Sequence, residues 1–482
     1  MGVLSNLEPK NVFYYFEEIS KIPHGSFNCG PIADYLEGFA KEHQLECHRD
    51  EANNVVIIKE ATPGYENAPA VILQGHTDMV CQKTPGSDFD FEKDSLNLAI
   101  DGDLILAKDT TLGGDDGIAV AYGLAVLAAD NLSHPRIEVL LTSDEEVGLL
   151  GANACDLSML KGKMLINLDS EDEGIFLTSC AGGARANMFL PVSREKKEGI
   201  SYEVTVQGLT GGHSGAEIHK GRANASKLLG RLLFTARKDA EFAIETMEGG
   251  QADNVIPRQA TATILVEEGD AKAFEAAAAK LEKEFQNEQS VADPELSVKL
   301  VNLGKKEAEV LDRSSMVQAL TVMTLLPDGV QAMSMQIPGL VETSLNLGIL
   351  KLEKEELQLS CSVRSAVGSK KEYLIAQLRT LIEYAGGSFN THGDYPAWEY
   401  KAESHLREIF VDAYKDMYGK EPKIEAIHAG LECGILSNKI EDLDCISLGP
   451  DMKDIHTTEE RLSISSTERV WKLLVEVLKR LK

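Results

Sequence analysis

No Cys-x-x-Cys pair occurs anywhere in this sequence, whose 8 cysteines are scattered over 482 residues. That spacing excludes a zinc-ribbon site and points to free thiols in a reducing compartment. Basic residues are in short supply: 48 Lys and Arg stand against 77 Asp and Glu, a formal charge of -29. A field of that sign repels phosphate backbones and favours cations, so no nucleic-acid partner is expected. No apolar run approaches the ~20 residues that span a bilayer. The first residues, Met1-Gly-Val-Leu-Ser-Asn6, have neither the basic start nor the apolar stretch of a secretory signal. They also lack the Ser or Thr that myristoylation wants where Asn6 stands. No membrane partner is expected, and the cytoplasm is the simplest address.

What is present is the profile of a globular chain, 43% hydrophobic and 26% charged, and too long for one ordinary core. In the first third, buried strands at Asn54–Ile58, Ala70–Gln74, Ile137–Leu141 and Met164–Leu168 accompany an apolar helix at Gly117–Ala129. This is the α/β rhythm of a mostly parallel sheet covered by helices, a three-layer αβα domain. The middle third alternates with period two, at Tyr202–Val206, Thr261–Val266 and Gln358–Val363, between helices at about 222–236, 271–286 and 370–384. That pattern predicts an inserted α+β domain with antiparallel sheets. After Gly393 the α/β rhythm returns, with strands at Ile424–Ile427 and Cys445–Leu448 and a last amphipathic helix from about 466. The expected architecture is a discontinuous α/β domain, 1–185 and 393–482, interrupted by an α+β domain, 186–392.

Ligands of an α/β sheet bind beyond the carboxyl ends of its strands. Metal-type side chains gather there in Gln74-Gly-His-Thr-Asp78, Leu112-Gly-Gly-Asp-Asp-Gly117, Thr142-Ser-Asp-Glu-Glu-Val-Gly148, Asn167-Leu-Asp-Ser170 and Asp454-Ile-His-Thr-Thr-Glu459. Alternation puts His76 and Asp78 on one face, where Asp78 can fix the ring nitrogen that His76 does not offer to a metal. A turn that merely contains both residues fits equally. An Asp of the second segment suits either a bridge between cations or a helix cap. The adjacent Glu145 and Glu146 project differently, so one can bind metal while the other serves as a base. Each segment alone has a bland reading; jointly they deliver imidazole and carboxylate to one sheet edge, a set that suits zinc or a similar first-row ion.

With Ile22-Pro-His24, Cys180-Ala-Gly-Gly183, Gly211-Gly-His-Ser-Gly215, Asn254-Val-Ile-Pro-Arg258, Val341-Glu-Thr-Ser-Leu-Asn346 and Ile427-His-Ala-Gly-Leu-Glu-Cys-Gly434, these motifs cover nearly the whole chain. The chain resembles the metallopeptidase family that includes aminoacylases, carnosine dipeptidases and glutamate-releasing carboxypeptidases, and within it the aminoacyl-histidine dipeptidase branch. The resemblance implies two divalent cations, zinc first, with manganese or cobalt admitted by the same ligands. It implies His76 and Asp169 on one metal, Glu146 and His456 on the other, and Asp115 between them. Asp78 would orient His76, and Glu145 would be the general base toward a metal-bridging water. The inserted domain would be a lid or dimerisation domain of a homodimer. His213 from it would polarise the scissile carbonyl, while Asn254, Arg364 and the backbone at Gly430 would hold the substrate's carboxylate. The implied substrate is a dipeptide, Xaa-His or related. Two departures stand out: Asp116 replaces a frequent Asn, and Ile455-His-Thr-Thr458 replaces a usual His-Ser-Pro.

Two other functions share parts of this pattern. An N-acyl amino-acid deacylase or a carboxypeptidase uses the same chemistry at the amide carbon. A non-catalytic, metal-dependent scaffold needs the ligands but has no use for a base at Glu145.

Overall fold

A computed structural model describes residues 2–482. The chain forms two compact units, one from the segments ending at Ser179, Tyr400–Ala426 and Leu431–Lys482, the other from Cys180–Glu399 and Ile427–Gly430.

The first unit is built on an eight-stranded sheet in the order Glu46–Arg49, Val55–Lys59, Ile137–Thr142, Val71–His76, Met164–Asn167, Asp444–Ser447, Ile175–Cys180, Lys423–Ile427. Its four central strands, from Ile137–Thr142 to Asp444–Ser447, run parallel, in the registers Val71↔Ile137, Val71↔Met164 and Asp444↔Met164. Val55–Lys59 pairs antiparallel on both sides, and Ile175–Cys180 is antiparallel to its central neighbour. Every residue of Val71–His76 and Ile137–Thr142 is buried, because helices cover both faces. On one face Val71, Leu73, Val139, Leu141, Ile166 and Ile446 share a core with the helices Lys10–Ile19, Gly30–Glu42, Gly114–Ala128, His405–Tyr418 and Ile464–Arg480. Each such aliphatic side chain stabilises the fold by about 1.5–3 kcal/mol through burial. On the other face Glu432, the first residue of the helix Glu432–Lys439, bonds Gln74 and Thr142. Because the central strands are parallel, their carboxyl ends, and the loops after them, emerge on one side.

The second unit carries a nine-stranded sheet in which neighbouring strands pair antiparallel. Its order runs Ser297–Leu311, Arg194–Gln207, Ala260–Val266, Phe242–Gly249, Val341–Leu352, Glu356–Ser365, Gly182–Pro191, Ser388–Tyr395, with Gly329–Met333 added on Val341–Leu352. Helices Ala225–Ala236, Ala271–Glu288, Arg313–Leu325 and Gly368–Tyr384 share one core with it. The period-two strands give this sheet the apolar face on which those helices pack.

Candidate metal centre

His76 ends a fully buried strand, with its ring inside the sheet edge. Its Nδ1–H donates to the main-chain oxygen of Asp78 at 2.9 Å, while the Asp78 carboxylate stands 3.4 Å away. The expected orienting contact is therefore made first by the Asp78 backbone, with the side chain as a second neighbour. A carbonyl acceptor at Nδ1 fixes the tautomer and leaves Nε2 to face the site. The Asp78 carboxylate meanwhile accepts the Glu145 N–H at 2.9 Å, the Glu146 N–H at 3.3 Å and the Ser26 hydroxyl at 2.8 Å. It thus ties the loop bearing both glutamates to the end of the His76 strand. Ser26 carries no motif of its own, and nothing in the sequence marks it for this contact.

The segment at Asp115 does not serve as a helix cap. The helix opens at Gly114, yet Asp115 (φ -84, ψ 103) and Asp116 (φ -117, ψ 31) depart from helical geometry, and no side chain caps the first turn from the N-cap position. Freed from that role, the Asp115 carboxylate lies between two imidazoles, Oδ1 3.1 Å from His76 Nε2 and Oδ2 3.0 Å from His456 Nε2. Asp169 Oδ1 is 3.7 Å from His76 Nε2, and Glu146 Oε1 is 2.9 Å from His456 Nε2. The predicted ligands His76, Asp115, Glu146, Asp169 and His456 are thus brought together, with Glu145 beside them. Potential ligand atoms lie within 4.8 Å of one another in three sets: His76, Asp116, Asp169; His76, Glu145, Glu146; and Asp115, Glu146, His456.

Charge crowding sets the protonation of these groups. Burial pushes Asp169 up to about 7, although His76 opposes it. Burial likewise raises Glu145 well above the carboxylate range; Asp169, Glu432 and Glu146 add to the shift and His76 works against it. Asp115 feels the same burial, but hydrogen bonds from His456 and His76 outweigh it and hold the carboxyl low. The hydrogen bonds of Asp115 and Glu146 raise His456 to about 10. His76 is pulled down by burial, yet Asp169, Asp115 and Asp78 carry it well above its ordinary value.

The donor set fits divalent metal. Asp116 Oδ1 is a buried oxygen without a hydrogen-bond partner among the described residues, an arrangement that leaves lone pairs for a cation. Two imidazoles with three or more carboxylates are the mixed set that first-row ions prefer.

The remaining predicted residues lie in the second unit. Gly212 and His213 pair with Ile256 and Val255, and the Ser214 N–H donates to the Asn254 carbonyl at 2.8 Å. His213 Nδ1 accepts from the N–H groups of Gly215 and Ala216 at 3.2 and 3.0 Å. With two donors aimed at Nδ1, the proton of the neutral ring sits on Nε2. Burial, then Arg364, lowers the basicity of His213 and favours that neutral form. Gly215 is needed where it stands: a Cβ there would lie 3.0 Å from both Arg364 Nε and His213 Cε1 and 2.6 Å from the His428 carbonyl. Arg364 is buried, and its Nη1–H donates to the Tyr395 hydroxyl oxygen at 2.9 Å. Its Nε has no partner among the described residues. A Cβ on Gly430 would press on the same tyrosine ring. His213, Arg364 and Gly430 are therefore neighbours of one another, whereas Asn254 joins them through its backbone. Tyr395 and His428 belong to this cluster too; His428 shares a 2.7 Å hydrogen bond with Ser344, and burial with Arg364 and His213 lowers it to about 3.

Residues 204–293 match the peptidase dimerisation domain. Cytosol non-specific dipeptidase of Escherichia coli (strain K12) is 36% identical over 483 residues, covering 100% of this chain and 99% of that protein. Among solved structures, aminoacylhistidine dipeptidase from Vibrio alginolyticus matches with a TM-score of 0.93 at 35% identity, over 99% of this chain and 98% of that one. The M20 family metallo-carboxypeptidase Sso-CP2 from Sulfolobus solfataricus shares the fold, with a TM-score of 0.53 at 15% identity over 98% of this chain and 99% of that one. Among the described residues no helix is long and apolar enough to cross a membrane.

Proposed function

This chain belongs to the M20 metallopeptidase family, hydrolases acting on peptide bonds, and from that membership we propose that it is a dinuclear dipeptidase cleaving Xaa-His and related dipeptides. The observation that carries the reading is the Asp115 carboxylate set between His76 and His456, one oxygen toward each ring. His76 and Asp169 would hold one cation and Glu146 and His456 the other, with Asp115 between them. Zinc would suit this donor set, and manganese or cobalt would be accepted by the same donors. When bound, such a pair polarises the scissile carbonyl and makes the attacking water more acidic.

The chain's own groups do the rest. Glu145 takes the proton of the attacking water and passes it to the leaving amine; its carboxylate stands beside the ligands His76 and Glu146, where both transfers occur. Asp78 holds Glu145 and Glu146 in place through their N–H groups. His213, with its proton on Nε2, donates to the developing oxyanion. Arg364, Asn254 and the Gly430 backbone hold the substrate's carboxylate, and the unpartnered Arg364 Nε supports that role. The second unit serves as lid and as the contact of a homodimer, in keeping with the dimerisation-domain match at 204–293. We place the enzyme in the cytoplasm, with a small dipeptide as its substrate and a second copy of the chain as its partner.

The deciding test is hydrolysis of β-alanyl-histidine by the purified protein, after chelation and again after zinc is restored. Activity vanishes and returns on this reading. Restored metal without cleavage of this or other dipeptides, together with cleavage of N-acyl amino acids, would transfer the chain to the deacylases.

Metal uptake also displaces protons. Without metal His456 stands at about 10 and Asp169 at about 7, and His76 is raised above its usual value. Ligands that carry a proton must lose it to bind, so the metal-free chain holds more protons than the loaded one. Affinity for metal therefore increases as pH rises through neutrality. Calorimetry of zinc binding in buffers of different ionisation enthalpy shows a net release of protons, at least one per chain from His456. An enthalpy independent of buffer would mean that the ligands are already deprotonated before the metal arrives.

A further inference from the structure

We infer that Glu460 is a positioning residue that sets the distance between Asp115 and His456, and through it the geometry of the second cation site; the inference rests on the dinuclear reading above. Glu460 carries no motif role, and as the last of two adjacent glutamates it looks like surface charge. The structure buries it to 3% exposure. Its carboxylate accepts four consecutive backbone N–H groups: Oε2 those of Leu112 at 2.8 Å and Gly113 at 3.2 Å, Oε1 those of Gly114 at 2.8 Å and Asp115 at 3.3 Å.

These donors are the free N–H groups that open the helix Gly114–Ala128, where a negative charge is favoured. The carboxylate therefore holds the main chain of Asp115 itself, and that main chain is not helical at this point. The seat is made to its shape. Gly113 adopts φ +67, and a Cβ on Gly114 would stand 3.2 Å from Glu460 Oε1 and 3.3 Å from Met452 Sδ.

The other end of Glu460 governs His456. The turn from Asp454 to Glu460 is closed internally, by the Glu460 N–H to the Thr457 carbonyl at 3.2 Å and the Thr457 hydroxyl to the Asp454 carbonyl at 2.7 Å. His456 sits inside that turn with φ 62, a backbone conformation that a non-glycine residue keeps only when its surroundings fix it. The next residues, Arg461–Ser463, are pinned to the strand Leu104–Ala107 in register Leu462↔Ile105. One side chain thus clamps the Asp115 loop to the His456 turn, and the outcome is the 3.0 Å approach of Asp115 Oδ2 to His456 Nε2. The carboxylate of Glu460 makes its hydrogen bonds to the 112–115 segment and leaves the Asp169 side of the centre alone.

Glu460→Gln tests this, because an amide nitrogen in place of one oxygen faces N–H donors that it cannot accept. Cobalt(II) is titrated into full-length, chelator-treated chain, with stoichiometry and the visible d–d spectrum read together. In the unmodified chain two cobalt ions bind. In Glu460→Gln the first binds as before, while the second weakens by about 10–100-fold, as when a metal ligand loses its support. Its absorption changes, and kcat for dipeptide falls with KM little altered. If both ions bind with unmodified affinity and spectrum, even in a chain that melts earlier, Glu460 is a helix cap and no more. Should the Gln variant not fold, Gly114→Ala presses on the same carboxylate without removing it and is read by the same titration. Failure of the unmodified chain to bind two cobalt ions overturns instead the dinuclear reading on which this rests.

Discussion

Glu145→Gln retains its metal and turns dipeptide over at roughly a thousandth of the unmodified rate, within the 10²–10⁴-fold that a positioned acid–base group supplies. The substitution keeps the volume of the side chain and removes only its ability to accept a proton. In the metal-free site the carboxyl is desolvated and surrounded by Asp169, Glu432 and Glu146, which raise its proton affinity against the counterweight of His76. Bound cations would offset those charges and leave the carboxylate ionised, able to take a proton from water and return it to an amine. The Asp78 carboxylate grips the Glu145 backbone, not its side chain, so the loop keeps its place in the variant. Metal content by atomic emission and kcat on the same preparation check the result. The atoms of His76, Glu145 and Glu146 are close enough to form a ligand set of their own. Loss of metal from the variant would therefore make Glu145 a ligand, and a rate within about tenfold of unmodified would place the base elsewhere.

The parts of the centre that follow strands were legible because a parallel, doubly covered sheet writes itself as continuous apolar runs. Val71–Leu73, Val139–Leu141 and Leu165–Ile166 are such runs, and each ends within a few residues of His76, Glu146 or Asp169. Burial is what those runs encode, however, and strand direction is not. Val55–Lys59 reads the same way as its neighbours yet pairs antiparallel on both sides. Asp115 was ambiguous for a local reason, since aspartate before an apolar helix is a good cap; only its non-helical dihedrals and its reach to two imidazoles separate the readings. Glu432 and Glu460 were illegible. A glutamate opening a helix, or following another glutamate, is ordinarily solvated, and these two are buried only because Gln74 with Thr142, and the N–H groups of 112–115, arrive from 290 or more residues away to receive them. Tyr395 was missed for the same cause: its bond to Arg364 spans 31 residues and a strand edge, and no spacing rule connects them.

Asp115→Asn abolishes dipeptide turnover and weakens both cations by more than about 100-fold, beyond the range that changes behind the ligands produce. Among the described side chains, only Asp115 has one carboxylate within hydrogen-bond reach of both His76 and His456. Its replacement leaves Glu146 and Asp169 as the anionic ligands for two divalent charges, and it turns an amide N–H₂ toward one of the imidazole nitrogens. Without the carboxylate each metal-free ring loses one of the partners that raise its proton affinity, while His76 keeps Asp169 and His456 keeps Glu146. The neighbouring residue is the natural comparison. Asp116 is fully buried, accepts the His76 N–H through Oδ2 at 3.2 Å, has an unpartnered Oδ1, and brings one carboxylate oxygen within 4.8 Å of ligand atoms of His76 and Asp169. Its Oδ2 is already engaged behind the strand end, and asparagine can keep that bond through its carbonyl oxygen. Asp116→Asn should therefore bind two metals and remain active. Isothermal titration with zinc and assay of dipeptide cleavage on both variants distinguish them: if Asp116→Asn loses its metals and Asp115→Asn keeps them, the bridge is Asp116, and the contacts of Asp115 with the two histidines are those of a metal-free ion-pair network.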